Sequence, residues 1–124
     1  MTSSHPPRVL VVEDEALIMM ATVDALDGLG YEVLRARNAA AALAALESSE
    51  PIVAMLTDVN LPDMDGQALA EEVRRRRPLL PIIFATGYRM SVTPGIAESG
   101  PTAVLCKPYL QDDLGRALQK VLPP

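Results

Sequence analysis

The chain carries five short apolar runs, each ending in a polar or glycine-bearing turn, with helical periodicity in most of the stretches between them. Arg8-Val9-Leu10-Val11-Val12 is too short for a helix and rich in Val, so it predicts a strand buried on both faces. It runs into Glu13-Asp14-Glu15. Ala16, Met19, Met20, Val23 and Leu26 then recur at helical spacing as far as Gly28 and Gly30, which predicts a helix over 15–28 with acids in its first turn. Tyr31 to Arg35 alternates weakly and predicts a second strand. Asn38 can cap an Ala-rich helix that turns Leu43 and Leu46 inward and ends at Ser48, Ser49 and Pro51.

The third run, Val53-Ala54-Met55-Leu56-Thr57-Asp58, delivers a carboxylate into the turn-rich loop Val59-Asn60-Leu61-Pro62-Asp63-Met64-Asp65-Gly66. A helix from about Gln67, with Leu69 and Val73 inward, stops before Pro78. Pro81-Ile82-Ile83-Phe84-Ala85-Thr86-Gly87 is a fourth strand that runs into a hydroxyl and a glycine. Tyr88 to Gly100 is the least regular stretch and predicts a short or mobile fourth helix. Ala103-Val104-Leu105-Cys106 is a fifth strand ending in Lys107-Pro108, and Leu110, Leu114, Leu118 and Val121 mark one face of a closing helix. Apolar strands alternating with helices predict an α/β fold, a doubly wound parallel sheet with helices on both faces. Ligands in such sheets bind beyond the carboxyl ends of the strands.

Composition narrows the function. One domain fits 124 residues. Residues 1–7, including His5, read as a disordered tail, and 8–122 as the folded unit. A net charge of -5 and 3% aromatic residues argue against nucleic acid as partner. The cationic run Arg74 to Arg77 reads as the last turn of a helix, where positive charge complements the macrodipole. A single cysteine, Cys106, fits a reducing compartment, and neither a signal core nor a membrane-spanning run is present, so a cytoplasmic location is expected.

The strand ends carry the chemistry. Parallel strands would bring Glu13 and Asp14, Asp58, Thr86 and Lys107 to one rim. Like charges so close need a cation, and Mg²⁺ suits carboxylate oxygens. The lysine would repel the ion unless an anion lay between them, and a phosphoryl group is such an anion, with Thr86 donating to one of its oxygens. Asp58 is the preferred nucleophile, with the Asn60 carbonyl available to the metal. Taken singly, each residue also has an ordinary reading: helix-start acids, a strand-end threonine, a solvated lysine, an Asx-turn aspartate.

With these pieces the chain resembles the receiver domain of bacterial two-component response regulators, from about Arg8 to Leu122. The resemblance rests on Glu13-Asp14, on Asp58 with Pro62 and Gly66 behind it, on Thr86, and on Lys107-Pro108. It implies a flavodoxin-like sheet of five strands in the order 2-1-3-4-5. It also implies that Asp58 accepts a phosphoryl group from a sensor histidine kinase or histidine phosphotransfer protein. Asp14 and Asp58 would bind Mg²⁺ directly, Glu13 through water and Asn60 through its carbonyl, and the Lys107-Pro108 bond would be cis.

One departure is Val104, where receivers commonly carry an aromatic switch residue. The stretch Phe84-Ala85-Thr86-Gly87-Tyr88 is similar to the motif of a stand-alone subgroup that lacks this aromatic, which suggests Tyr88 as the reporter of phosphorylation. No output domain follows the closing helix, so signalling to a downstream target by protein contact or phosphorelay is expected, unless Leu122-Pro123-Pro124 opens a linker. The expectation is a signalling protein rather than an enzyme. Two rivals are an adaptor that works without phosphate and an aspartate-nucleophile phosphatase, which would want a second aspartate where Asn60 stands.

Overall fold

The apolar runs find their partners in one parallel sheet. The computed structural model describes residues 6–48, 51–87 and 94–123. Its elements alternate throughout: β1 Arg8–Val12, α1 Ala16–Gly28, β2 Glu32–Ala36, α2 Ala39–Glu47, β3 Ala54–Asp58, α3 Gly66–Arg76, β4 Ile82–Thr86, α4 Pro94–Ser99, β5 Thr102–Cys106 and α5 Gln111–Val121. The strands pair in parallel in the order β2-β1-β3-β4-β5. β3 and β4 are buried at every position, as runs apolar on both faces require, while the edge strands β2 and β5 keep partly exposed residues. Leu10, Met55, Ile82 and Phe84 pack under α2 and α3; Val9, Leu56, Ile83 and Leu105 pack under α1 and α5. No helix among the described residues is long and apolar enough to cross a membrane.

Asn38 caps α2 as expected, its side chain accepting from the Ala41 N–H at 2.8 Å. The fourth helix is short, six residues. Two details of α1 differ from the sequence expectation. The helix begins at Ala16 with Glu15 as its N-cap, so its first turn holds no acid. Its buried line is Met19, Thr22 and Leu26, and Met20 is 57% exposed and Ala16 exposed. A threonine can hold an apolar position here because its hydroxyl meets the Tyr109 hydroxyl at 2.6 Å.

The basic run closes α3 as expected, but one of its members turns inward. Arg75 and Arg76 pair with Glu72 on the surface, as a helix end would have it. Arg74 is 6% exposed. Its guanidinium donates to the carbonyls of Leu80 (3.0 Å), Ile96 (2.9 Å) and Pro101, and to the hydroxyls of Ser99 (2.9 Å) and Thr102 (3.3 Å). It thereby ties α3 to the start of β4, to α4 and to the start of β5. Gly100 leaves it room, since a Cβ there would stand 3.0 Å from the guanidinium carbon. Arg77 likewise reaches back to the Leu46 carbonyl at 2.7 Å.

Removing a buried guanidinium leaves several acceptors unpaired, whereas an exposed ion pair contributes little. Arg74→Ala should therefore lower the urea unfolding free energy by about 3 kcal/mol. Arg75→Ala should lower it by less than about 0.5 kcal/mol. Equal small losses in the two variants would contradict the assignment of Arg74.

Candidate functional site

Parallel pairing puts the carboxyl ends of β1, β3, β4 and β5 at one rim, and register fixes what stands beside what. Val12 pairs with Thr57, Asp58 with Ala85, and Thr86 with Cys106. Residues 13 and 14 thus emerge beside Asp58, and Lys107 emerges beside Thr86. A further backbone bond joins the last two, the Lys107 N–H donating to the Thr86 carbonyl at 2.7 Å. On the other side, the Glu13 N–H donates to the Ala36 carbonyl at 2.9 Å and fastens the acidic turn to the end of β2.

The side chains converge as the rim implies. One oxygen each from Glu13, Asp14 and Asp58 lies within 4.8 Å of the others. Asp58 and Glu13 are buried and Asp14 is exposed. The Lys107 ammonium donates to Asp58 Oδ2 at 2.7 Å and to Glu13 Oε1 at 3.2 Å. The Asp58 Oδ1 atom accepts from the Asn60 N–H at 3.0 Å, so the Asx-turn reading of Asp58 is true as well and sets residue 60 against the carboxylate. Thr86 is buried at the end of β4.

Electrostatics follow from burial and proximity. Desolvation raises the Glu13 carboxyl above its ordinary value, against the opposing effects of the Glu15 N–H and the Lys107 ammonium. Desolvation acts to lower the Lys107 pKa, but its bonds to Asp58 and Glu13 outweigh it and the net shift is upward. Lysine is therefore held as the cation. Three carboxylates against one ammonium leave the cluster anionic; at an effective dielectric of about 20, two like charges about 4 Å apart repel by about 4 kcal/mol. Hard oxygen donors at this separation fit a Mg²⁺ ion, which uses one or two carboxylates and keeps several waters.

The loop behind Asp58 explains Gly66. Gly66 opens α3 and its N–H donates to the Val59 carbonyl at 2.8 Å. A Cβ at this position would stand 2.7 Å from Val59 Cα, so a side chain is excluded by backbone. Pro62 is exposed in the loop between. The Lys107-Pro108 bond is cis, as the resemblance implied. Val104 sits on β5 opposite Phe84 and is 41% exposed. Tyr88 lies outside the described residues.

Comparison with known proteins decides the family. Residues 9–119 match the model of the response regulator receiver domain. The chain belongs to that family. Among its relatives, the response regulator receiver protein CpdR of Brucella abortus is 34% identical over 116 residues, covering 93% of this chain and 96% of CpdR. The sensor protein TorS of Escherichia coli is 33% identical over 116 residues, but the match is 13% of its length, so this receiver spans only a small part of that relative. The crystal structure of a CheY-like receiver from Methanospirillum hungatei superposes with a TM-score of 0.81 at 33% identity, covering 92% of this chain and 91% of that one. Receiver domains are signalling modules that act as phosphoacceptors, and the strand order 2-1-3-4-5 is theirs.

Sequence reasoning missed Asp63 and Tyr109 near this receiver's rim. Both oxygens of Asp63 accept from the start of α2, from the Ala39 N–H at 2.9 Å and the Ala40 N–H at 3.0 Å. The only local signal was an Asp in a turn, which carries no information about a partner 24 residues away. Tyr109 is anchored by Thr22, and burial raises its pKa.

Glu13 yields a prediction with a definite sign. A carboxyl whose folded-state pKa is raised is disfavoured as an anion in the fold, so it costs stability above that raised value and nothing below its ordinary 4.5. In metal-free buffer Glu13→Gln should melt higher than wild type at neutral pH, with the gap closing as the pH falls to about 4.5. Thermal melts across that range check it; a variant less stable than wild type at neutral pH would show that the Lys107 pairing outweighs desolvation.

Proposed function

We propose that Asp58 is the phosphoacceptor and that Glu13, Asp14, Asp58 and the Asn60 carbonyl hold Mg²⁺, with Thr86 and Lys107 as the groups that receive the phosphoryl oxygens. The observation that carries this reading is the Lys107 ammonium lodged between Asp58 and Glu13, with Asp14 in the same cluster. An Asp58 oxygen attacks the phosphorus of a phosphohistidine; the phosphorus–nitrogen bond breaks and its electron pair returns to the imidazole. Lys107 leaves the carboxylate for a phosphoryl oxygen, and the Thr86 hydroxyl donates to another. When bound, Mg²⁺ supplies charge neutralisation for the carboxylates and the transferring group.

The donor of this group is read as a sensor histidine kinase or a histidine phosphotransfer protein. An apolar cleft of about 420 Å³ opens beside Lys107, lined by Leu17, Ile18, Ala21, Pro108 and Tyr109, and Leu17 is 81% exposed. It offers an approaching protein an apolar seat next to the acceptor. Output is read as protein contact or phosphorelay with a downstream target, in the manner of the subgroup with Phe84-Ala85-Thr86-Gly87-Tyr88, with no nucleic acid as ligand. The place of action is read as the cytoplasm, where the exposed Cys106 stays reduced. Against a phosphatase stands Asn60, whose carboxamide is too weak an acid to protonate a leaving group.

Incubation with Mg²⁺ and acetyl phosphate should add the mass of one phosphoryl group to the intact wild-type protein and none to Asp58→Asn. An unchanged wild-type mass, or an equal gain in the variant, would refute the assignment. Lys107→Ala should bind Mg²⁺ at least as tightly as wild type, because a competing cation leaves the carboxylates, yet lose phosphorylation. Weaker Mg²⁺ binding in that variant, read by calorimetric titration, would argue against this layout.

A further inference from the structure

Asp63 links two parts of the cluster that are distant along the chain. The first three N–H groups of a helix have no intrahelical partner, and α2 satisfies its own third through Asn38. The first two, Ala39 and Ala40, are satisfied by Asp63, which stands on the loop after β3. That loop is closed at its neck by the Gly66 to Val59 bond and by the pairing of Asn60 with Asp65. Helix α2 follows directly on β2, whose last carbonyl, Ala36, holds the Glu13 N–H. A closed path therefore runs from the acid pair through Ala36 and the start of α2 to Asp63, and from there through Asn60 to Asp58. Lys107 closes the opposite side of the same ring by bridging Asp58 and Glu13.

We propose that Asp63 is a positioning residue for the metal site: by tying the β3–α3 loop to the start of α2, it sets the separation of Asp58 and Asn60 from Glu13 and Asp14. It touches neither metal nor phosphoryl group and acts through the backbone it fixes. The inference rests on the reading of Asp58 and its neighbours as the Mg²⁺ site. Groups that orient ligands in this indirect way commonly change metal affinity by about ten-fold or more when removed.

The test is a calorimetric Mg²⁺ titration of wild type, Asp63→Ala, Asp63→Asn and Asn38→Ala, with a thermal melt of each. Asn38→Ala is the structural control, since it removes a cap from the same helix and leaves the tie to the β3–α3 loop in place. Asp63→Ala should bind Mg²⁺ about ten-fold more weakly. Asp63→Asn, which keeps one acceptor oxygen, should fall between it and wild type, and gives the same comparison if the alanine variant does not fold. Asn38→Ala should melt lower than wild type with unchanged Mg²⁺ affinity. Wild-type affinity in both Asp63 variants, or an equal loss in Asn38→Ala, would overturn the role of Asp63 while leaving Asp58 as phosphoacceptor. A wild-type protein that neither binds Mg²⁺ nor takes up a phosphoryl group would refute the reading of the site, and the role of Asp63 with it.

Discussion

Lys107 lies between two buried carboxylates, and most of this rim is arranged to keep it there. A lysine in such a place costs desolvation, and its bonds to Asp58 and Glu13 more than offset that cost, so its pKa is raised. Reciprocally, its charge offsets part of the repulsion between the two carboxylates. Even so, the cluster retains excess negative charge, and burial leaves Glu13 a carboxyl reluctant to ionise. A second cation with a preference for oxygen relieves the same strain from the opposite side. The site thus keeps an excess of negative charge that its own lysine does not cancel, which is the electrostatic ground for reading it as a divalent-cation site.

Holding such a cluster requires support that does not itself carry charge into the rim. The sheet provides the coarse placement through register, and backbone bonds refine it: Glu13 to Ala36, Lys107 to Thr86, Gly66 to Val59. Gly66 is the sharpest of these constraints, because the neck of the loop passes so close that any side chain would strike the Val59 backbone. The opposite flank is tied by Arg74, which gathers α4 and the start of β5 onto α3 with five donor contacts. The helix it secures is only six residues long and begins with Pro94-Gly95, so its own backbone bonds hold it weakly.

Much of this was legible in the sequence. Continuous apolar runs announced β1, β3 and β4 because a strand buried on both faces has no polar alternation to confuse the reading. Glu13, Asp14, Asp58, Thr86 and Lys107 were legible for a related reason: in a parallel sheet the residue after each strand has only one place to go. The failures share a cause too. Arg74 was read together with Arg75 to Arg77 as a charged helix end, which gave no sign of its burial, although it follows Ala70 at i+4 and so continues the buried stripe of α3. Asp63 was read only as part of a turn-rich loop because its partners lie across the fold, and Met20 was counted on the apolar face of α1 because nothing local shows that Thr22 is buried there instead, its hydroxyl paired with a tyrosine 87 residues away. Local pattern reports period and propensity; it does not report which distant group will satisfy a polar atom.

Val104 raises the question of how the two flanks communicate without an aromatic ring on β5. Its side chain is partly exposed on the edge strand, opposite Phe84, and a Val there has neither a ring to turn inward nor a hydroxyl to anchor. The described residues nonetheless contain a connection that does not use this side chain. Thr86 ends β4, its carbonyl holds the Lys107 N–H, and Lys107 in turn holds Asp58 and Glu13. Whatever draws the end of β4 towards the rim must move Lys107 with it or break that bond. Beyond Lys107 the chain turns through Pro108 to Tyr109, whose hydroxyl is fastened to Thr22 on α1. Backbone hydrogen bonds and one part-buried hydroxyl pair therefore join the rim to the α1 side of the sheet, where Leu17 and Met20 are exposed, through contacts in which residue 104 takes no part.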